Sequence, residues 1–342
     1  MNIPEKSILI FPHHLVKALV TGATGFIGSH LVELLLKNNY TVRCLLRHTS
    51  NPVWLNDLPV EKIYGDLFDG SALRTAVEGV DHVYHSAGAT KAKTREEYFR
   101  ANTTGTNNLI EALQKHNPTV KRFVYLSSQT AAGPSPTRAP ITENAACHPI
   151  TPYGESKRMG EIACEKVFSS IPVTILRPTI VYGPREKDML EFFRSVNNGL
   201  IPLIGFREKY VGMIHGIDLV RGILMAAESD RTIGQTYFLT SNQPYGWSEI
   251  GEVARRVLNR RVFRVHIPVP LLYAVAGVQE LVALFGKQPA LISFDKARDG
   301  VQPYWTCDGS KARRDFGFEP QISLDDGVRD TIAWYKNAGW IS

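Results

Sequence analysis

Tyr153 and Lys157 lie four positions apart in TPYGESK, residues 151–157, directly after a run rich in turn-forming residues. On a helix that spacing puts both side chains on one face. The pair is then either a plain surface contact or a proton donor beside the cation that tunes it. A second stretch, VTGATGFIGSH at 20–30, sets Gly22, Gly25 and Gly28 where an apolar run meets a helical pattern. The first glycine permits a tight turn, the second lets the backbone approach a pyrophosphate, and the third lets the helix pack close to the strand. Free amides at the helix start then face the phosphate charge. This context, apolar run before and amphipathic helix after, makes the turn Gly22, Ala23, Thr24, Gly25, Phe26, Ile27, Gly28 a dinucleotide site.

The end of the next strand decides which dinucleotide. An acidic residue there would bind the ribose hydroxyls of NAD. The chain instead reads VRCLLRHTSN at 42–51, with no carboxylate. Arg47, with Arg43 as a second candidate, could cradle a 2′-phosphate through charge-assisted hydrogen bonds. NADP is therefore the preferred cofactor and NAD the other one. Asp66, in GDL at 65–67, ends the third strand, where it could accept a bond from the adenine amino group.

These residues need a scaffold, and the pattern supplies one. Strand-like runs at 15–21, 40–47, 60–66, 81–88, 121–128 and 172–178 alternate with helical patterns at 26–39, 70–78, 96–116 and 152–169. Such alternation predicts an α/β fold, a doubly wound parallel sheet with helices on both faces. After about residue 183 helical segments dominate, with isolated strands at 236–240 and 262–268. The division is a nucleotide-binding domain at 15–183, to which the chain returns near 210–240, and a smaller, mostly helical substrate lobe at 184–342. Residues 1–14 read as an extension, or as a start codon placed too early, and not as a signal peptide.

With 342 residues and 44% apolar content the chain can bury a large core. Its net charge of +6 favours anionic ligands. The basic residues are scattered, which argues against nucleic acid. Cys44, Cys147, Cys164 and Cys307 are dispersed, so they read as reduced packing residues of a cytoplasmic protein, with no metal site. VPLLYAVAGVQELVALFG at 269–286 is interrupted by Gln279 and Glu280 and is too short in each half to span a bilayer. It reads as a helix closing on the substrate pocket. Peripheral contact with a membrane is the other place its apolar surface could go.

Taken in order, these blocks resemble the extended short-chain dehydrogenase/reductases, the NAD-dependent epimerase/dehydratase family. SAGAT (86–90), YFRANTTGTNNLIEA (98–112), YLSSQTAAG (125–133), LRPTIVYGP (176–184) and YVGMIHGIDLVRG (210–222) match further family blocks over roughly 15–340. The second strand is nearest the dihydroflavonol-reductase and 3β-hydroxysteroid-dehydrogenase-like branches. The resemblance implies a Rossmann domain and hydride chemistry. Tyr153 would exchange a proton with the substrate oxygen, and Lys157 would lower the tyrosine pKa from its usual value of about 10. Lys157 would also hold the nicotinamide ribose. Ser128 would bind the same substrate oxygen, and Asn102 would support the active-site helix and a water path. Leu67, Ser86, Ala87, Gly88, Pro178 and Val181 would border the cofactor. The family's dehydratases carry Asp-Glu after the catalytic hydroxyl residue, where this chain has Gln129 and Thr130. His85 is read as a packed histidine with no catalytic role.

The function expected is an oxidoreductase interconverting a secondary alcohol and a ketone on a small, hydrophobic molecule. A nucleotide-sugar epimerase with tightly held NAD is the alternative. A non-catalytic cofactor-binding sensor is a third reading, disfavoured because Ser128, Tyr153 and Lys157 are intact. The pocket is expected to draw on the 134–150 loop, Lys91, Lys93, Met213 and the 269–286 helix. A homodimer is compatible with this reading.

Overall fold

The computed structural model describes residues 16–285 and 293–341. The extension read at 1–14, and residue 286 at the end of the apolar stretch, lie outside these.

The first half runs β1 (Lys17–Thr21), α1 (Phe26–Lys37), β2 (Thr41–Leu46), β3 (Glu61–Tyr64), α2 (Gly70–Val77), β4 (His82–His85), α3 (Arg95–Phe99), α4 (Gly105–His116), β5 (Arg122–Leu126), α5 (Pro152–Glu165) and β6 (Val173–Pro178). Then come β7 (Ile180–Tyr182), α6 (Leu190–Asn197), β8 (Leu200–Ile204), β9 (Tyr210–Val211), β10 (Met213–His215), α7 (Gly216–Glu228), β11 (Gln235–Leu239), β12 (Tyr245–Gly246), α8 (Trp247–Leu258), β13 (Phe263–Ile267), α9 (Val269–Phe285), α10 (Phe294–Val301), β14 (Tyr304–Trp305), α11 (Ser310–Phe316) and α12 (Leu324–Asn337).

Seven parallel strands form the central sheet in the order β11-β6-β5-β4-β1-β2-β3. Alternation along each strand feeds two cores. Val20, Cys44, Tyr84 and Val124 face α1 and α7, while Leu19, Leu45, Val83 and Phe123 face α2, α4 and α5. The order reverses at β1, which lies between β2 and β4. A crevice therefore opens beyond the strand ends at this point, where ligands bind in such sheets.

The helix expected over 96–116 is broken. Arg100–Thr104 forms a π-helical turn between α3 and α4, so Asn102 sits in a wider turn than the sequence pattern suggested. The region after residue 183 is less purely helical than expected. β11 completes the main sheet beside β6, β8 pairs with β13, and β9 lies between β12 and β14. These strands are two to five residues long, too short to leave a clear period in the sequence. A third core gathers α6, α8 and α12, and a small fourth one packs α9 and α10 through Leu272, Ala276 and Ala297. Among the described residues no helix is long and apolar enough to cross a membrane.

Candidate active site

At the switch point the glycine turn closes tightly. Gly22 has φ +74°, and a Cβ there would stand 2.7 Å from the Ala87 amide nitrogen. A Cβ on Gly28 would lie 2.2 Å from the Gly22 carbonyl oxygen. Both positions are closed to larger residues, and α1 thereby starts directly beneath the turn. Its N-cap, Gly25, has no side chain to occupy the first amides, so they are left for an anion.

A cavity of about 450 Å³ runs from this turn to the ends of β2 and β3. Gly22, Thr24, Gly25, Arg47, Asp66, Leu67, Ser86, Ala87 and Gly88 line it. Arg47 is exposed, and its guanidinium has no partner among the described residues. Asp66 accepts the Phe68 amide at 2.7 Å. Arg100, which lies over the Phe68 ring at 3.9 Å, closes the far wall and was not foreseen. Ala23 and Gly28 do not line the cavity: the first is buried in the sheet core and the second packs on the turn. Arg43 is also withdrawn. Strand alternation turns it inward, where Nη1 donates to the carbonyls of Thr75, Ala76 and Glu78 and Nε pairs with Glu61 at 2.9 Å. Its charge is already compensated, so it is no phosphate ligand.

Beyond Ser86 and Gly88 a second cavity of about 220 Å³ opens, lined by Phe26, Ile27, Asn102, Ser128, Tyr153, Lys157, Pro178 and Val181 among others. Thr151 caps α5 by accepting the Gly154 amide, Pro152 occupies the first turn, and Tyr153 and Lys157 follow on one face. Lys157 is buried. Its Nζ donates to the Leu126 carbonyl at 2.7 Å and sits 4.3 Å from the Tyr125 ring centroid. Ser128 Oγ accepts from the Thr130 amide and hydroxyl at 3.2 and 2.9 Å, and it lines the same cavity as Tyr153.

The expected lowering of the tyrosine pKa is not found. Burial pushes Tyr153 up to about 12, and the neighbouring Ser128 hydroxyl offsets only part of this. Burial likewise brings Lys157 down to about 8. A cation this poorly solvated, and already bound to a main-chain carbonyl, does not draw the phenol downward.

Asn102 is a buried connector. Oδ1 accepts the Ala89 amide at 2.8 Å, while Nδ2 donates to the Ala89 carbonyl at 3.0 Å and to Ser156 Oγ at 2.9 Å. Ser156 Oγ in turn donates to the Tyr153 carbonyl at 2.7 Å. The 86–90 segment is thus tied to α5 beside the tyrosine. His85 is buried between Thr21 Oγ1 (2.7 Å) and Thr106 Oγ1 (3.0 Å), and burial holds it neutral with a pKa of about 3. One turn past Lys157, Glu161 is fully buried and receives Ser127 Oγ, Arg177 Nε and Arg177 Nη2 at 2.6, 2.8 and 2.7 Å. The signal for it was Arg177 itself, a charge within the apolar run PVTILRP.

A third cavity, about 440 Å³, lies among residues 187–209, 247–272 and 296–300. Its apolar wall includes Met189, Phe192, Leu203, Ile204, Trp247, Ile267 and Leu272. Asp188 lines both this cavity and the one holding Tyr153, so the two adjoin. Asp188 pairs with Lys91 at 2.5 Å and with Lys296 at 3.6 Å. The walls therefore come from 187–192, 202–209 and α8–α10. The 134–150 loop does not line them, and Met213, buried on β10, lines a separate small cavity. Of α9, only the inner side faces this cavity, through Leu272; Leu271, Val278, Leu281 and Val282 stand exposed.

A seven-stranded parallel sheet with its ligand crevice at the strand-order reversal defines a dinucleotide-binding Rossmann protein. The chain belongs to the NAD dependent epimerase/dehydratase family, whose model matches residues 18–239. It is 29% identical over 325 residues to the ceramide reductase of Caulobacter vibrioides, covering 94% of this chain and 95% of that protein. It is 28% identical over 345 residues to the 3 beta-hydroxysteroid dehydrogenase/Delta 5-->4-isomerase of Mycobacterium tuberculosis, covering 93% and 90%. Among solved structures, the UDP-glucuronic acid 4-epimerase of Bacillus cereus, in complex with NAD, superposes with a TM-score of 0.76 at 24% identity, covering 94% and 99%; this likeness concerns the fold. The protein is an NAD(P)-dependent oxidoreductase of the extended short-chain dehydrogenase/reductase type.

Proposed function

We propose that this enzyme interconverts a secondary alcohol and a ketone on an apolar small molecule, with NADP as the preferred cofactor. The observation that carries the reading is the convergence of Ser128, Tyr153 and Lys157 in one cavity, between the glycine-turn pocket and an apolar cavity. The dinucleotide fits the first pocket through the uncapped start of α1 and the close approach that Gly22 allows. Its nicotinamide ring supplies or takes the hydride. Gly25, Thr24 and the α1 amides hold the pyrophosphate, Arg47 the 2′-phosphate, Asp66 the adenine, and Ser86–Gly88, Pro178 and Val181 flank the nicotinamide end. Ser128 fixes the substrate oxygen. Tyr153, which burial keeps protonated at neutral pH, donates its proton to that oxygen during ketone reduction. Lys157 holds the ribose, and Asn102 keeps α5 and the 86–90 segment in register.

In this reading residues 15–183 and the return at 210–240 form the cofactor domain, and the rest of 184–342 forms the substrate lobe of a cytoplasmic enzyme. The ceramide and steroid substrates named for two relatives support a hydrophobic ketone. A nucleotide-sugar epimerase would retain NAD through dialysis, whereas this enzyme should exchange its cofactor freely.

The test is a cofactor-oxidation screen across apolar ketones with two variants. Tyr153→Phe removes one hydroxyl and little volume, so turnover should vanish while cofactor binding stays near normal. Arg47→Ala should weaken NADP about tenfold to hundredfold, the worth of a charge-assisted bond of about 1.5–3 kcal/mol, and leave NAD nearly unchanged. Normal turnover in the first variant, or equal weakening of both cofactors in the second, would count against the assignment.

A further inference from the structure

The described residues expose fourteen large apolar side chains, and ten of them lie in one stretch of the second lobe: Leu200, Phe206, Phe263, Val265, Leu271, Val275, Val278, Leu281, Val282 and Phe294. Scattered single exposures need no account, but such concentration does. Its centre is α9. The inner side of that helix is spent on the lobe through Leu272 and Ala276, and the outer side carries Leu271, Val278, Leu281 and Val282 into solvent. Phe206, 77% exposed, projects from a loop whose neighbours Ile204 and Arg207 both line the apolar cavity. The exposed apolar surface and the cavity therefore share walls.

The charge along residues 259–279 has one sign. From Asn259 to Gln279 the chain carries three arginines, Arg260, Arg261 and Arg264, and no acidic residue. All three are exposed. The nearby acids are engaged: Glu208 accepts the Ser248 amide at 3.2 Å, and Glu280 accepts the Phe294 amide at 2.7 Å. An apolar helix face preceded in the chain by exposed arginines complements an anionic bilayer surface. A second copy of the chain would fit poorly, since a two-fold contact would set the same arginines against each other. Among the described residues no helix is long and apolar enough to cross the bilayer, so α9 would lie along it.

We infer that the outer face of α9, with Phe206 beside it, docks on an anionic lipid surface, and that the substrate enters the apolar cavity directly from the bilayer. The substrate class is then a membrane-resident lipid bearing a ketone or secondary alcohol. This identification rests on the hydride-transfer reading; the docking does not.

Co-sedimentation of the full chain with phosphatidylcholine–phosphatidylglycerol vesicles, against pure phosphatidylcholine vesicles, tests the docking. The wild type should pellet with the anionic vesicles and be released as salt rises. Val278→Asp/Leu281→Asp, at exposed positions outside the cavity lining, should keep its melting temperature and weaken partitioning about tenfold or more. With a long-chain ketone loaded in the vesicles, the variant's KM should rise, while its turnover of a short water-soluble ketone stays at the wild-type level. A wild type that remains in the supernatant with both vesicle types overturns the docking. So does a double variant that pellets as the wild type does, or a wild-type dimer that this variant converts to monomer. Vesicle binding without reduction of any ketone would leave the docking standing and remove the hydride reading.

Discussion

Lys157 carries a charge that its surroundings support poorly. Burial holds its pKa near 8, and one carbonyl, that of Leu126, takes its Nζ. The ammonium is present below that value and is lost as pH rises through it. Tyr153, at about 12, stays protonated over the same range. If the ammonium holds the cofactor ribose, kcat/KM, which reports the free enzyme, should fall as pH climbs past 8 without any matching change at the tyrosine. A pH series on both sides of that value checks this, and a flat profile would show that the charge is dispensable. At this scale the sequence was informative where chemistry follows local spacing. Tyr153 with Lys157, and the glycines of the turn, needed only their own neighbours. It misled at Arg43, whose strand position fixes an inward direction that residue type alone does not reveal. For Glu161 it held only an indirect sign, the charge of Arg177 within an apolar run, because the two residues belong to different elements.

α5 organises the centre because three of its residues, Tyr153, Lys157 and Glu161, recur every four positions and are buried or half-buried on one side. Glu161 ties this helix to β6 through Arg177, an ion pair with both side chains almost fully buried. Removing the carboxylate leaves the buried Arg177 charge uncompensated, which costs about 3–5 kcal/mol in comparable sites. Glu161→Gln should therefore unfold at markedly lower urea concentration. A double replacement by apolar residues, Glu161→Leu with Arg177→Met, should recover much of the loss. Equal instability of the single and double variants would mean that the helix is held by something else. The parallel sheet was legible because its strands are apolar runs punctuated by turns. The π-turn at Arg100–Thr104 was not, since a single extra residue in a helical turn leaves the amphipathic period almost unchanged. The β8–β13 and β9–β14 pairings join segments far apart in sequence, and no local pattern announces such partners.

At the scale of the whole molecule, Asp188 links the sheet side to α10. Lys91 reaches it from the sheet side and Lys296 from α10, and the same aspartate borders both the Tyr153 cavity and the apolar one. All three side chains are partly exposed, so the pairs contribute little to folding, about 0–1 kcal/mol each. Their effect is positional: without the carboxylate, the ammonium groups of Lys91 and Lys296 face each other. Asp188→Asn should therefore melt within a few degrees of the wild type. It should nevertheless speed amide exchange in α10 and raise the substrate KM, with cofactor affinity little changed because Asp188 does not line the glycine-turn pocket. Hydrogen exchange separates this from simple loss of a substrate contact, which would raise KM and leave α10 as protected as before. Unchanged exchange together with an unchanged KM would mean that α10 is held in place by apolar packing alone.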